Sequence, residues 1–246
     1  MKIKQTNLNI VYPQIEEYRK KFINSEDILN EYFLPPTMLP VPNEVQGEIP
    51  RIIVQTKNGH SVLNIALTVA SFTTNYNNNF TKNWELCKDY LENRGTCVYN
   101  MIDNMNDEKN IFVGLVTNIE MNDLDEDGLN VLKKSLLKEN TADLGDIYDL
   151  GFKFTYVYKE KYYINITLEN FRDFETKKNE GGRNCIRGEK KHTISASIDI
   201  NDRYASNYNP EYKSGKEEFE EIIRITSNII DNKLDDLIRK GEFVYE

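Results

Sequence analysis

Residues 51–72, RIIVQTKNGHSVLNIALTVASF, constrain the fold more than any other stretch of the chain. Asn58-Gly59 favours positive φ and so a two-residue type I′ turn. Such a turn sets Lys57 opposite His60, Val54 opposite Leu63, and Ile52 opposite Ile65. Directly opposed residues share one face of a sheet. All four outer partners are apolar, and Leu67 and Val69 continue their row, so the second arm is predicted to run on as one strand. Turn chemistry and apolar pattern demand the same register, and a hairpin of this kind has to bury one face. His60 falls at its tip, where a solvent-exposed turn residue is expected.

The second hairpin, GFKFTYVYKEKYYINITLENF, obeys the same logic with a different loop. Phe152, Phe154, Tyr156 and Tyr158 alternate on one arm, and Tyr162, Ile164, Ile166 and Leu168 on the other. A two-residue turn puts the aromatics opposite Lys and Asn. A three-residue loop, Lys159 to Lys161, puts apolar opposite apolar and is therefore predicted.

The remaining segments fall around these two. TNLNIVYP reads as a short strand through Leu8, Ile10 and Tyr12, and a weakly helical charged stretch follows. Residues 34–50 hold five of the seven prolines. Proline fixes φ and removes a donor, so an extended connector is expected there. Trp84, Cys87, Leu91, Val98, Ile102 and Met105 recur at helical spacing after Thr81, a candidate N-cap. Gly95 is expected to interrupt that helix or divide it. Cys87 then reads as a small core hydrophobe. Ile111, Val113, Leu115 and Ile119 form one face of a strand, and DGLNVLKKSLLKEN a helix. KKNEGGRNCIRGEKK reads as a charged loop, and HTISASIDIN as a strand with Ile194, Ala196, Ile198 and Ile200 inward. Phe219, Ile222, Ile223, Thr226, Ile230, Leu234 and Leu237 form the stripe of one long terminal helix ending at Gly241. The expectation is an α+β fold of about six mainly antiparallel strands, since alternation means one covered and one wet face. Helices cover one face. Hairpin, helix and strand recur in that order, so a single domain over 1–246 with two similar halves, 1–122 and 123–246, is expected.

Charge and composition then narrow the function. A net charge of −9 opposes a polyanionic partner. Cys87, Cys97 and Cys185 show no metal or disulfide spacing. MKIKQTNLNI lacks the apolar run of a signal peptide, and no apolar stretch is long enough to span a bilayer, so a reducing cytoplasm is expected and a membrane is not.

Three features remain as candidate chemistry. Asp123, Asp125, Asp127 and Gly128 open like a calcium loop, in which alternate carboxylates converge on a hard cation. Asn130 and Lys134 then stand where an apolar residue and a bidentate Glu are required, so the segment reads as an acidic turn capping the next helix, with no metal. Arg183, Arg187, Lys190 and Lys191, with His192, crowd a glycine-containing loop beside Cys185; an anion contact or a redox-sensitive thiol is the reading to test. Phe33, Leu34, Met38, Leu39 and Val41 lie on the proline-stiffened segment, and together with Tyr156, Tyr158 and Tyr162 they are the candidate partner-binding surface. Phosphate-loop, dinucleotide and nucleophile-elbow motifs are missing, and no cofactor or catalytic residue is assigned.

EIPRIIVQTKNGHSVLNIALTVASFTTNY resembles the central segment of a sporadically distributed family of uncharacterised bacterial proteins, and SIDIN followed by FEEIIRITSNIIDNKL resembles its end. Antiparallel strands followed by a terminal helix are similar to the SecB-like fold. The resemblance implies a non-enzymatic binder that holds unfolded or partner polypeptide on apolar surface, assembles as a homo-oligomer, and serves as a chaperone or adaptor in a toxin–antitoxin or phage-defence system. The alternative is an enzyme or a nucleotide- or nucleic-acid-dependent factor built on the basic segment 183–192 and the acidic turn 123–127.

Overall fold

A computed structural model describes residues 1–42, 44–124, 126–137, 147–179 and 181–245, with the side chain of Lys191 left out. Asp125 of the acidic turn therefore lies outside the described residues. In chain order the elements are β1 (Lys2–Val11), α1 (Tyr18–Ser25) with a 3-10 turn (Glu26–Leu29), β2 (Thr37–Met38), β3 (Ile52–Gln55), β4 (Ser61–Ile65), β5 (Val69–Asn75), α2 (Trp84–Met105) and β6 (Phe112–Met121). Then come α3 (Gly128–Leu136), β7 (Gly151–Tyr158), β8 (Tyr162–Lys178), β9 (Asn184–Asn201), α4 (Arg203–Tyr208), α5 (Lys216–Asn232) and α6 (Leu234–Lys240).

The strands form one antiparallel sheet of nine, ordered β2-β3-β4-β5-β1-β6-β9-β8-β7, so the fold is α+β with more strands than the expected six. Both hairpin registers hold. Ile52 pairs with Ile65 and Val54 with Leu63. Tyr158 pairs with Tyr162 and Phe152 with Leu168 across a three-residue loop.

The first turn is not type I′. Thr56 N bonds Ser61 O and Gly59 N bonds Thr56 O, with Gly59 alone at positive φ. This is a four-residue loop, which keeps the parity of a two-residue one and hence the same faces. His60 is correspondingly not a free tip residue. Its ring lies 5.7 Å from Phe80 and 6.4 Å from Tyr90, half-buried.

The strand expected through 60–72 is two strands. Residues 66–68 turn back so that Ile65 pairs with Ala70 and Leu63 with Phe72. Val69 leaves the inward row, and Ala70, Phe72 and Thr74 take it up. No Gly, Pro or Asn marks this turn. Tertiary hydrogen bonds hold it instead: Tyr12 Oη to Ala66 O at 3.0 Å, Ile15 N to Leu67 O at 3.1 Å, and Leu67 N to Gly47 O at 2.8 Å.

Helices cover one face, where Leu8, Ile10, Val113, Leu115, Ile198 and Ile200 are buried. The other face is a carpet of half-buried Asn, Ser and Thr that bond across strands, as Ser71 to Asn9 at 2.5 Å and Asn118 to Gln5 at 3.2 Å. At the centre α2 and α5 meet over β1. Gly95 does not break α2. A Cβ there would sit 2.8 Å from Phe219 Cζ and 3.3 Å from Leu8 Cδ2, so glycine opens the space that Phe219 fills. The N-cap of α2 is Asn83, which accepts from Leu86 N, rather than Thr81. Ile111 precedes its strand and is exposed. The expected single terminal helix breaks at Lys233, which lets α6 pack against α3. Its apolar stripe is buried throughout.

Among the described residues no helix is long and apolar enough to cross a membrane. The connectivity repeats: apart from the two-residue β2 in the first and the six-residue α4 in the second, β1-α1-β3-β4-β5-α2 and β6-α3-β7-β8-β9-α5 each run strand, helix, three strands, helix. The repeat divides the chain between Met105 and Phe112, one strand earlier than residue 122.

Candidate functional site

The proline-rich segment is mostly bound to its own sheet. Arg51 is fully buried, and its guanidinium donates to the carbonyls of Pro42, Val45, Gln46 and Ile49 at 2.7–3.3 Å. Arg19 reaches Leu39 O and Val41 O. Thr37 and Met38 pair with Ile53 and Ile52, so this connector holds a strand. Phe33 is buried against Phe72, with ring centres 5.8 Å apart, and is thereby removed from any docking surface. Leu34 and Met38 are exposed, Leu39 and Val41 half-buried.

The basic segment is not a loop. Residues 184–191 begin β9 and pair with Asp173–Lys178 of β8. Neither β6 nor β7 accompanies them there, because β6 ends opposite Ile194 and β7 opposite Glu169. The result is a two-stranded arm reaching about 25 Å beyond the sheet at ~3.3 Å per residue. Its turn at Asn179–Arg183 is tied by Asn179 Oδ1, which accepts from the N–H of Gly181 and of Arg183. Two bulges, with Lys190 and Arg187 as the extra residues, twist it. Arg183, Arg187 and Lys190 are exposed along the arm, with Cys185; Lys191 lies on the strand. The arm root does meet the acidic turn: His192 Nδ1 lies 3.4 Å from Asp127 Oδ1 and 3.3 Å from Glu189 Oε1. Asp127 caps α3 through Asn130 N at 3.0 Å. The two cavities beside the arm root, one lined by residues 148–151 with 169–172 and Phe174, the other by Lys4, residues 118–120, Phe171, Asp173 and Ser195, include no residue of 183–192 or 123–127.

The aromatic row of β7 forms the third candidate. Tyr162 lies across from it on β8 and is buried, so it belongs to the core and not to a docking surface. Tyr156 and Tyr158 are half-buried, with Phe152 and Phe154 continuing the row. The residues that complete this site carry no motif. After α6, Gly241 takes φ 69°, and a Cβ there would sit 2.2 Å from Ser135 O. The chain then runs extended over the row. Phe243 packs on Tyr156 at 4.7 Å and Tyr245 on Tyr158 at 4.8 Å, while Val244 points to solvent. Alternation in EFVYE was the only available signal, and three residues are too few to read as a period.

Lysines of the adjoining turn anchor the row to α5. Lys161 meets Glu218 at 2.5 Å, and Lys159 meets Glu221 at 3.2 Å. Glu221 also takes a forked pair from Arg224, at 2.7 and 2.6 Å, which with Lys159 holds its carboxyl down at about 2. The tail itself is weakly held. Two half-buried rings, their ring contacts and the hydrogen bond between Tyr245 and Asn228 supply about 4–7 kcal/mol. Ordering four residues costs about 4–8 kcal/mol.

Elsewhere, ionisable groups serve the fold. Burial pushes the Cys87 thiol up to about 12. Asp202 is buried and raised by desolvation, and accepts from Val113 N, Tyr212 Oη and Ser214 Oγ. Among the described residues no three His, Cys, Asp or Glu converge as metal ligands. In comparison with known proteins, no protein-family model, no curated protein and no solved structure matches the chain.

Proposed function

We propose that this chain is a non-enzymatic protein-binding factor of the SecB-like kind, working in the cytoplasm and presenting aromatic surface on β7 to an extended segment of a partner or unfolded polypeptide. One observation carries the reading: the half-buried row Tyr156 and Tyr158, on the last strand of the sheet, already has an extended segment lying on it. Sheet margins of this kind take extended chains, with side-chain pockets giving selectivity. The opposite margin, β2, is two residues long and flanked by Pro36 and Pro40, which blunt it. A photo-reactive residue in place of Phe154, on the same face of β7 as Tyr156 and Tyr158, with a permanently unfolded carboxymethylated protein as client, tests the reading. Crosslinking at position 154 and none from Ser71 on the polar face is expected; equal yields at both positions sink it.

A second reading rests on the arm. Residues 171–193 carry seven basic and four acidic residues on a chain of net charge −9, and Arg183, Arg187 and Lys190 are exposed. A two-stranded ribbon fits a major groove. Binding to a labelled duplex that weakens with salt and vanishes without the arm is the expected result under this reading; affinity unchanged by removing the arm rejects it.

A further inference from the structure

The tail over β7 does more than fill a gap. It is a segment in extended conformation whose side chains at positions i and i+2 face the row while the one between faces water. Phe243 meets Tyr156, Tyr245 meets Tyr158, and the two tail rings stack on each other at 6.3 Å. The tail runs in the same direction as β7, since 243 lies over 156 and 245 over 158. Residues 241–245 belong to no strand or helix, so ring contacts and a side-chain hydrogen bond between Tyr245 and Asn228, not a backbone ladder, hold it. The floor beneath it belongs to the sheet ladder. Tyr158 lies between Tyr162 at 6.4 Å and Lys159 Nζ at 4.9 Å, and Lys159 pairs with Glu221. An aromatic floor built into the sheet under an aromatic segment outside the ladder is the arrangement of a site and its stand-in.

We propose that Tyr156 and Tyr158 form a binding site for an extended peptide carrying aromatic side chains at alternate positions, and that residues 243–245 occupy it as a displaceable intramolecular competitor. This rests on the protein-binding reading and names the ligand class. A tethered competitor at high effective concentration masks the site until a better or more concentrated segment replaces it. Two stacked side chains two residues apart select for Phe, Tyr or Trp at both positions, because each presents a π-face at low conformational cost.

The test uses a fluorescent acetylated peptide with the sequence of residues 241–246 and two proteins: the chain ended after Gly241, and the full chain with Phe243→Ser and Tyr245→Ser. The second keeps the assay informative where truncation weakens folding, which thermal melts report. Both proteins are expected to bind the peptide, and the unmodified chain at least tenfold more weakly. Serine at both aromatic positions of the peptide, or Tyr156→Ala with Tyr158→Ala in the protein, should lower affinity at least tenfold. A folded, tail-free protein that ignores the peptide at millimolar concentration overturns the proposal. So does binding unaffected by loss of both tyrosines. Dimerisation of the full chain that disappears in the double serine variant assigns the site to a second copy's tail and also overturns it. Client crosslinking at position 154 without peptide binding sinks this inference and spares the protein-binding reading; absence of both sinks the two together.

Discussion

Single side chains decide how tightly the two helices close on the sheet. Gly95→Ala sets two effects against each other. Alanine gains about 1 kcal/mol in helix propensity. Pushing a Cβ into Phe219, 2.8 Å away, costs about 1–3 kcal/mol because that ring is stacked on Tyr99 and is held from behind. Overpacking wins, and urea melts should show a net loss of about 1 kcal/mol. Combining it with Phe219→Leu should cost less than the sum of the single changes, since the contact that repels is then gone. Arg51 poses the opposite problem, a charge with four carbonyl partners and, among the described residues, no carboxylate. Arg51→Met removes the donors that hold Pro42 to Ile49 and leaves their carbonyls unpaired, so about 3–5 kcal/mol should be lost in the same melts. Glu221 supplies a pH-dependent term. Its ordinary value of 4.5 falls to about 2 in the folded chain, through Arg224 first and Lys159 second. A depressed carboxylate stabilises above its unfolded value and ceases to do so as pH falls through the folded one. The stability difference between the parent and Glu221→Gln should therefore be flat above pH 4.5 and shrink between 4.5 and about 2, and it should narrow in high salt because the pair is near the surface. None of these three residues announces its role in the sequence. Gly95 reads as a helix breaker because its partner, Phe219, is 124 positions away, and Arg51 reads as the polar start of a strand.

At the scale of elements, what was legible depended on whether local chemistry and long-range pairing agreed. The two hairpin registers were legible because apolar alternation on both arms admits only one parity. The turn at 66–68 was not, because apart from Ala66 N to Val69 O its hydrogen bonds are to Tyr12, Ile15 and Gly47, all outside the hairpin. The arm was illegible for a different reason. Its charges read as a loop, since the described residues of 175–188 are exposed and no apolar row is required of a ribbon that stays in water. That account has a consequence. Replacing residues 175–188 by Asn-Gly joins Phe174 to Glu189, which already face each other, through a two-residue turn. The excised strands pack on no helix, so the melting midpoint should move little, by an amount equivalent to about 0.5 kcal/mol or less. A large drop would mean that the arm carries stability from contacts its exposure does not suggest. The tail site escaped for the simplest reason: its two halves are GFKFTYVY and EFVYE, whose contacting rings lie 87 positions apart and become one site only when α6 places them together.

Over the whole molecule, the sheet is two equivalent runs joined at a seam. Each run orders its strands in the same way outward from the centre, β1-β5-β4-β3 on one side and β6-β9-β8-β7 on the other, and β1 lies antiparallel to β6. In the first run β2 flanks β3, the strand equivalent by connectivity to β7. The seam is more than a ladder, because α2 of one run packs on α5 of the other and Phe219 fills the space that Gly95 leaves open. Neither run can therefore bury its inner face alone: α2 loses Phe219, and α5 loses α2. Cutting the chain at residue 110 tests this directly. Fragments 1–110 and 111–246 made separately should show no cooperative melt. Mixed, they should recover one, because the seam restores nine paired positions and the helix contact above them. The cost of the missing tether is only the entropy of bringing two molecules together, so recovery should depend on concentration in a way the intact chain does not. A cooperative transition in either fragment by itself would show that the runs are independent folding units, and that the seam merely joins two structures that already exist.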